Sequence, residues 1–195
     1  MKRIILFITL LIFYLFFFFW YGGNGESITV EEGKQLMEKI KNAQSDVEYS
    51  EIQDNFQNAI KMDDGKEFYM VNLETEKTGS EAKSADLSYA KLVIPMLFKR
   101  GSFPIYVGSY FKSFIGNYGT GITRVAIVRY RSLRDFLDMN ADPDMVKGAP
   151  FKFASLNHTE VFGTKPILSL LSIRFTFALI YLSLYFFLNN LLLKK

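Results

Sequence analysis

Hydrophobic and polar positions fall into three regimes along this chain. Residues 4–20 are apolar at every position except Thr9, a run of 17 residues that reaches about 25 Å as a helix, enough to cross the hydrocarbon core of a bilayer. Residues 175–193 form a second run, interrupted only by Thr176, Ser183, Asn189 and Asn190. It lacks the polar face that the core helix of a soluble domain would carry, so it predicts a second span. Between the two runs the pattern is that of a folded domain.

Thr29-Val-Glu-Glu32 has capping-box spacing, and Leu36, Met37 and Ile40 recur on one face, which predicts a helix over residues 30–43. Ser50-Glu-Ile-Gln53 repeats the signal ahead of Phe56, Ala59 and Ile60, predicting a second helix that ends near Met62, before the Asp63-Asp64-Gly65 turn. The period then changes. Residues 68–73 read as a strand, and Leu87, Ala90, Ile94 and Leu97 as a helix capped by Ser84 or Asp86, kinked or broken at Pro95 and ended by Gly101. Residues 103–110 and 124–130 predict further strands on either side of a glycine-containing turn. Ser132 caps a short helix reaching about Met139, and Asp142-Pro143 starts another that Gly148-Ala149-Pro150 should interrupt. Residues 157–163 close the domain as a fourth strand.

Composition sharpens this division. All 20 acidic residues lie between Glu26 and Glu160, and 10 of the 20 Phe lie in the two apolar runs. The formal charge of +3 belongs to Lys2, Arg3, Arg174, Lys194 and Lys195; without them 18 basic residues face 20 acidic ones, which argues against nucleic acid as a partner. Within the domain, residues 22–90 carry 15 acidic and 7 basic residues, and residues 91–166 carry 5 and 11. Such halves pair with each other or with another chain. With no cysteine and one histidine, disulfides, thiol chemistry and Cys- or His-rich metal sites are excluded, and no cofactor is expected.

The basic residues outside both apolar runs place both chain ends on the cytoplasmic side and residues 22–166 outside, with the lipid bilayer as a partner. Trp20-Tyr21 closes the first run at the interface, and no Ala-x-Ala cleavage site follows, so an uncleaved anchor is expected over a signal peptide. The expected organisation is an anchor at 1–21, a linker and two helices at 22–66, a domain at 67–166 and a second transmembrane helix at 167–195.

From Glu67 onward the expected order is β-α-β-β-α-β, the ferredoxin-like arrangement, so the fold class is α+β with two extra N-terminal helices and a transmembrane helix at each end. Phe68-Tyr-Met-Val-Asn-Leu73, Val93-Ile-Pro-Met-Leu-Phe-Lys-Arg-Gly101, Val128-Arg-Tyr-Arg-Ser-Leu-Arg-Asp-Phe-Leu137 and Ala154-Ser-Leu-Asn-His-Thr-Glu160 resemble an uncharacterised branch of the dimeric α+β barrel superfamily over residues 67–165. That resemblance implies a homodimer. It leaves the chemistry open, because the superfamily spans cofactor-free oxygenases, lactone isomerases, haem-handling proteins and members of unknown role. A physical reason for dimerisation stands beside it: a sheet with helices on one face leaves the other bare.

Candidate chemistry is sparse. Arg129 and Arg131 alternate onto one face of their strand and would hold an anionic ligand bidentately, or else pair with Asp135, Asp138 or an acidic residue of the first half. Tyr69, Asn72 and Tyr106 project from strands and would line a pocket for a small molecule, although strands favour tyrosine in any case. His158 is the only near-neutral acid–base group, set among polar neighbours at a strand start. Gly116-Asn-Tyr-Gly-Thr-Gly121 has no helix after it and reads as a hairpin loop rather than a phosphate cradle. Two functions fit these residues. One is a membrane-anchored dimeric domain binding a small apolar or anionic molecule, with cofactor-free catalysis as an extension. The other is a non-catalytic interaction module at the membrane surface. A convergent polar pocket distinguishes the first, and ion-paired arginines in a filled core the second.

Overall fold

The computed structural model describes residues 2–43, 50–167 and 173–192. The chain forms two compact units: Met1–Asn24 with Pro166–Lys195, and Gly25–Lys165. Lys194 and Lys195, the basic end expected of the C-terminal segment, lie outside the described residues.

In the first unit, helix α1 (Lys2–Gly22) packs against helix α7 (Ile173–Leu192). Phe7 meets Tyr185, Tyr14 meets Tyr181 and Phe17 stacks on Phe177 with ring centroids 4.3 Å apart. Position numbers rising in one helix as they fall in the other make the pair antiparallel. Arg174 lies over the rings of Phe18 and Tyr21, 4.6 and 5.8 Å from their centroids, an aromatic interface setting that suits a cation at a helix end. Among the described residues one helix is long and apolar enough to cross a membrane, Arg3–Gly22. Arg174, Asn189 and Asn190 dilute the hydropathy of α7.

The second unit is a mixed α+β domain with one four-stranded antiparallel sheet. Helices α2 (Val30–Ala43) and α3 (Ser50–Lys61) precede strand β1 (Phe68–Glu76), helix α4 (Ser80–Lys99), strands β2 (Phe103–Ser109) and β3 (Arg124–Tyr130), helices α5 (Leu133–Asn140) and α6 (Pro143–Ser155), and strand β4 (Leu156–Thr164). The strands lie in the order β2-β3-β1-β4. Three caps form as their residues require: the amide of Glu32 donates to the Thr29 hydroxyl, that of Asp135 to Ser132 and that of Asp144 to Asp142.

Three sequence expectations need correction. Helix α4 begins at Ser80, after Gly79 at φ 105°, so neither Ser84 nor Asp86 caps it; the Asp86 carboxylate is held by Arg124 instead. The same helix continues through Pro95 to Lys99, because Val93, Met96 and Leu97 on either side are buried in the core and tertiary packing outweighs the one hydrogen bond that proline removes. Helix α6 likewise runs through Gly148 and Pro150. Gly148 lies against α4, where a Cβ would sit 3.6 Å from Leu92 and Tyr89, and that contact keeps the segment helical.

The core lies on one side of the sheet. Phe68, Met70, Val128 and Tyr130 pack with Val93, Met96, Leu97, Leu133, Leu137 and Met139, and the same cluster takes in Ile28, Leu36 and Ile40. The two N-terminal helices therefore extend the helical layer; they do not cover the opposite face. The ring of Phe68 stacks on Tyr130, and Phe136 meets both edge-on. The chain enters and leaves this unit at one pole. Gly65, at φ 70°, leaves no room for a Cβ beside the backbone of Gly25 and Glu26, Asp63 accepts from the Ile28 amide, and Lys165 pairs with Asp64 at 3.0 Å.

The charge asymmetry between the two halves is spent within the domain. Arg134 pairs with Glu32, Arg129 with Glu67, Lys165 with Asp64, and Arg124 with Glu74, Glu76 and Asp86, each link joining a basic second-half residue to an acidic first-half one.

Candidate functional site

Register and alternation divide the sheet into two faces. Phe68, Met70, Asn72 and Glu74 lie opposite Tyr130, Val128, Ala126 and Arg124, and the core places this set under the helices. Tyr69, Val71 and Leu73, opposite Arg129, Ile127 and Val125 on β3 and Thr164, Phe162 and Glu160 on β4, form the other face. Tyr106 joins them from β2 through its pairing with Ile127. This open face is apolar at its centre, with Tyr106 and Phe162 about half exposed.

The six candidate residues do not converge. Tyr69, Tyr106, Arg129 and His158 belong to the open face, and Asn72 to the helical side. Arg129 is 1% exposed. It pairs with Glu67 at 2.6 Å, donates to the carbonyl of Gly101 at 2.7 Å and lies 5.5 Å from the Phe103 ring. The Tyr69 hydroxyl donates to the same Glu67 carboxylate, and burial raises its pKa above the usual value. Arg131 follows the last residue of β3, so strand alternation no longer governs it. Its guanidinium turns to Asp135 in the first turn of α5, with Nε 2.7 Å from Oδ2, rather than sharing a site with Arg129. His158, on the exposed edge strand β4, lies 3.4 Å from Glu160.

The helical side holds a polar cluster that sequence reasoning did not assemble. Glu74 is 5% exposed and accepts from Arg124 at 2.6 Å, while Arg124 makes a bidentate pair with Asp86. Hydrogen bonds donated to Asp86 and Glu74 hold the Arg124 pKa above its already high ordinary value. Lys152, on α6, points its ammonium at the side-chain Oδ1 of Asn72, 3.4 Å away, and over the Tyr89 ring. Burial lowers the Lys152 pKa and pushes the Tyr89 hydroxyl up to about 12. The Thr159 hydroxyl, on β4 opposite Glu74, is buried without a hydrogen-bond partner. One signal was readable: Asn72 and Glu74 share the face of Phe68 and Met70, so two polar groups interrupt a core-facing stripe.

A surface groove of about 300 Å³ runs between α2 and α5, lined by Gln35, Lys39, Asp138 and the Glu32–Arg134 pair. Among the described residues no group of three His, Cys, Asp or Glu is placed to hold a metal ion.

The fold and these sites describe a mixed α+β domain with one open sheet face and paired internal charges. No protein-family model matches the chain, and no curated protein is significantly similar to it. Solved structures are. A crystal structure of methylated RPA0582 aligns with a TM-score of 0.55 and 18% identity over 63% of this chain and 94% of that one. A second structure of RPA0582, a protein of unknown function from Rhodopseudomonas palustris, aligns with a TM-score of 0.53 and 19% identity, over 62% and 95%. Protein At3g17210 of Arabidopsis thaliana gives a TM-score of 0.41 and 23% identity over 53% and 99%. At these identities the first two establish a shared fold and nothing more.

Proposed function

We propose that this chain is a membrane-anchored domain of ferredoxin-like, dimeric α+β barrel type, acting as a non-catalytic interaction module that pairs with a second copy through its open sheet face. The observation that carries this reading is the face itself. Val71, Leu73, Val125 and Ile127, bordered by Tyr106 and Phe162, form an apolar surface that no helix covers among the described residues of the domain, and apolar faces of this kind mark contact sites. The strand order β2-β3-β1-β4 with helices on one side supports the ferredoxin-like assignment. The pairing of Arg129 and Arg131 with Glu67 and Asp135 leaves neither as an anion receptor. Full-length protein in mild detergent should sediment as a dimer, and Ile127→Lys should make it monomeric with its helix content intact. A monomeric wild-type chain at every concentration would remove the proposal.

The membrane assignment belongs to the same reading. Helix α1 has the length and apolarity of a span, and α7 lies antiparallel along it with ring-to-ring contacts, which supports two spans with both chain ends on one side of the bilayer; Lys2 and Arg3 before the first apolar run favour the cytoplasmic side for those ends and the outer side for residues 22–166. Protease added to intact cells should cut the domain and spare a C-terminal tag. A second reading, small-molecule binding, rests on Lys152, Asn72 and the unpartnered Thr159 hydroxyl beneath the helices. A small molecule retained by the purified wild-type protein and lost in Lys152→Met would establish it.

A further inference from the structure

The segment between β2 and β3, residues 110–123, combines a fixed base with an uncovered apolar tip. At the base the Tyr110 amide donates to the Thr123 carbonyl at 2.8 Å, the Thr123 amide to the Glu74 carbonyl at 2.8 Å, and the Thr75 hydroxyl to the Gly121 carbonyl at 2.6 Å. Inside the loop the Ser113 amide donates to the Tyr110 hydroxyl, and Thr120 closes a turn on Asn117. The tip carries Phe111, Phe114, Ile115 and Tyr118 at 87, 83, 98 and 101% exposure. Four large apolar or aromatic side chains held this far into water by a hydrogen-bonded base are a surface built for contact.

Charge selects the partner. Lys112 is the only charged residue of the loop, and no acidic residue occurs between Asp86 and Asp135. Aromatic rings and an isoleucine beside a lone cation, with no carboxylate to be desolvated, match the boundary between lipid headgroups and acyl chains. Within the domain, the loop and the two chain ends lie at opposite ends of the sheet. Both ends of the domain's chain meet at the Asp63–Gly65 turn, next to the Phe68 end of β1, whereas the loop joins the sheet at Glu74 and Arg124. Six residue steps of strand, about 20 Å, separate the two poles.

From these observations we infer that the 110–123 loop inserts its aromatic tip into a lipid bilayer. The insertion does not rest on the anchored reading.

The chain contains no cysteine, so Ile115→Cys carries one environment-sensitive fluorophore on the full-length protein in phosphatidylcholine–phosphatidylserine vesicles. Lys83→Cys, on the exposed start of α4, is the aqueous control. Brominated lipid, placed in those vesicles or in added protein-free ones, should quench the Ile115 probe, whose emission should be shifted to the blue, leaving the Lys83 probe unchanged. Phe111→Ser with Phe114→Ser should remove the blue shift and the quenching while far-ultraviolet circular dichroism is preserved. A blue shift that grows with protein density and resists both quenchers overturns the lipid assignment in favour of a second copy, and an unshifted probe overturns the site altogether. Failure of the anchored reading registers separately, as protein that alkaline carbonate strips from the vesicles.

Discussion

Arg129 and Glu67 form an asymmetric ion pair, because the arginine is 1% exposed while the Glu67 side chain is 31% exposed. Removing the carboxylate takes the counter-charge from a buried cation, the costly way to break such a pair; removing the cation leaves a carboxylate that water can reach. Glu67→Gln should therefore cost about 3 kcal/mol and Arg129→Gln only about 1–2 kcal/mol, read as chemical denaturation of the full-length protein in detergent. Equal losses would mean that Arg129 is held by the Gly101 carbonyl and the Phe103 ring more than by charge. At this scale the sequence was partly legible. Alternation along β3 placed Arg129 correctly on the strand, and acidic residues of the first half were among its expected partners. The specific choice of Glu67 depends on a cross-sheet register that no local pattern encodes.

Helix α2 is attached to α5 through the Glu32–Arg134 pair and the apolar contacts of Leu36 and Ile40. Hydrogen bonding to Arg134 holds the Glu32 carboxyl below its ordinary value of 4.5. The bond from Lys165 does the same for Asp64, and in Asp142 hydrogen bonds from Arg100 and the Asp144 amide outweigh an opposing effect of burial. Carboxyls with a folded-state pKa below the unfolded one add stability that is complete above the unfolded value and is lost as pH falls through the folded one. Melting temperature should thus hold down to about pH 5 and decline toward about pH 3, and the decline should be shallower in Glu32→Gln, whose own share is absent at every pH. An identical pH profile in that variant would show that the pair contributes nothing to holding α2. The helix termini were legible where a side chain caps them, at Thr29, Ser132 and Asp142. The interruptions expected at Pro95 and Gly148 were not, since the decisive contacts come from residues distant in sequence. Gly148→Ala tests this directly: its Cβ would make ordinary contact with Leu92 and Tyr89, so the gain in helix propensity should raise stability by about 0.5–1 kcal/mol, and a loss would mean that α6 approaches α4 too closely for any side chain.

At the scale of the whole molecule, hydropathy separated the apolar tails from the domain, and the change of period from helix to strand recovered the order of elements. The polar cluster around Lys152 and Glu74 escaped because it joins β1, α4, β3 and α6, and no spacing along the chain brings those four together. The tails were legible as apolar runs but not as a pair; antiparallel contact between α1 and α7 is a tertiary fact. It carries a sharp expectation. Phe17 and Phe177 stack at 4.3 Å between ring centroids, so replacing both with cysteine in this cysteine-free chain puts two thiols within reach of a short bifunctional methanethiosulfonate reagent. With a protease site introduced into the domain, cross-linked full-length protein in native membranes should remain one band after cleavage, while each single-cysteine variant separates into two fragments. If α1 alone occupied the bilayer, α7 would lie at another depth, and the double variant would separate as readily as the singles. Retention of one band would therefore place both helices side by side in the same membrane, with the domain tethered at each end of its chain.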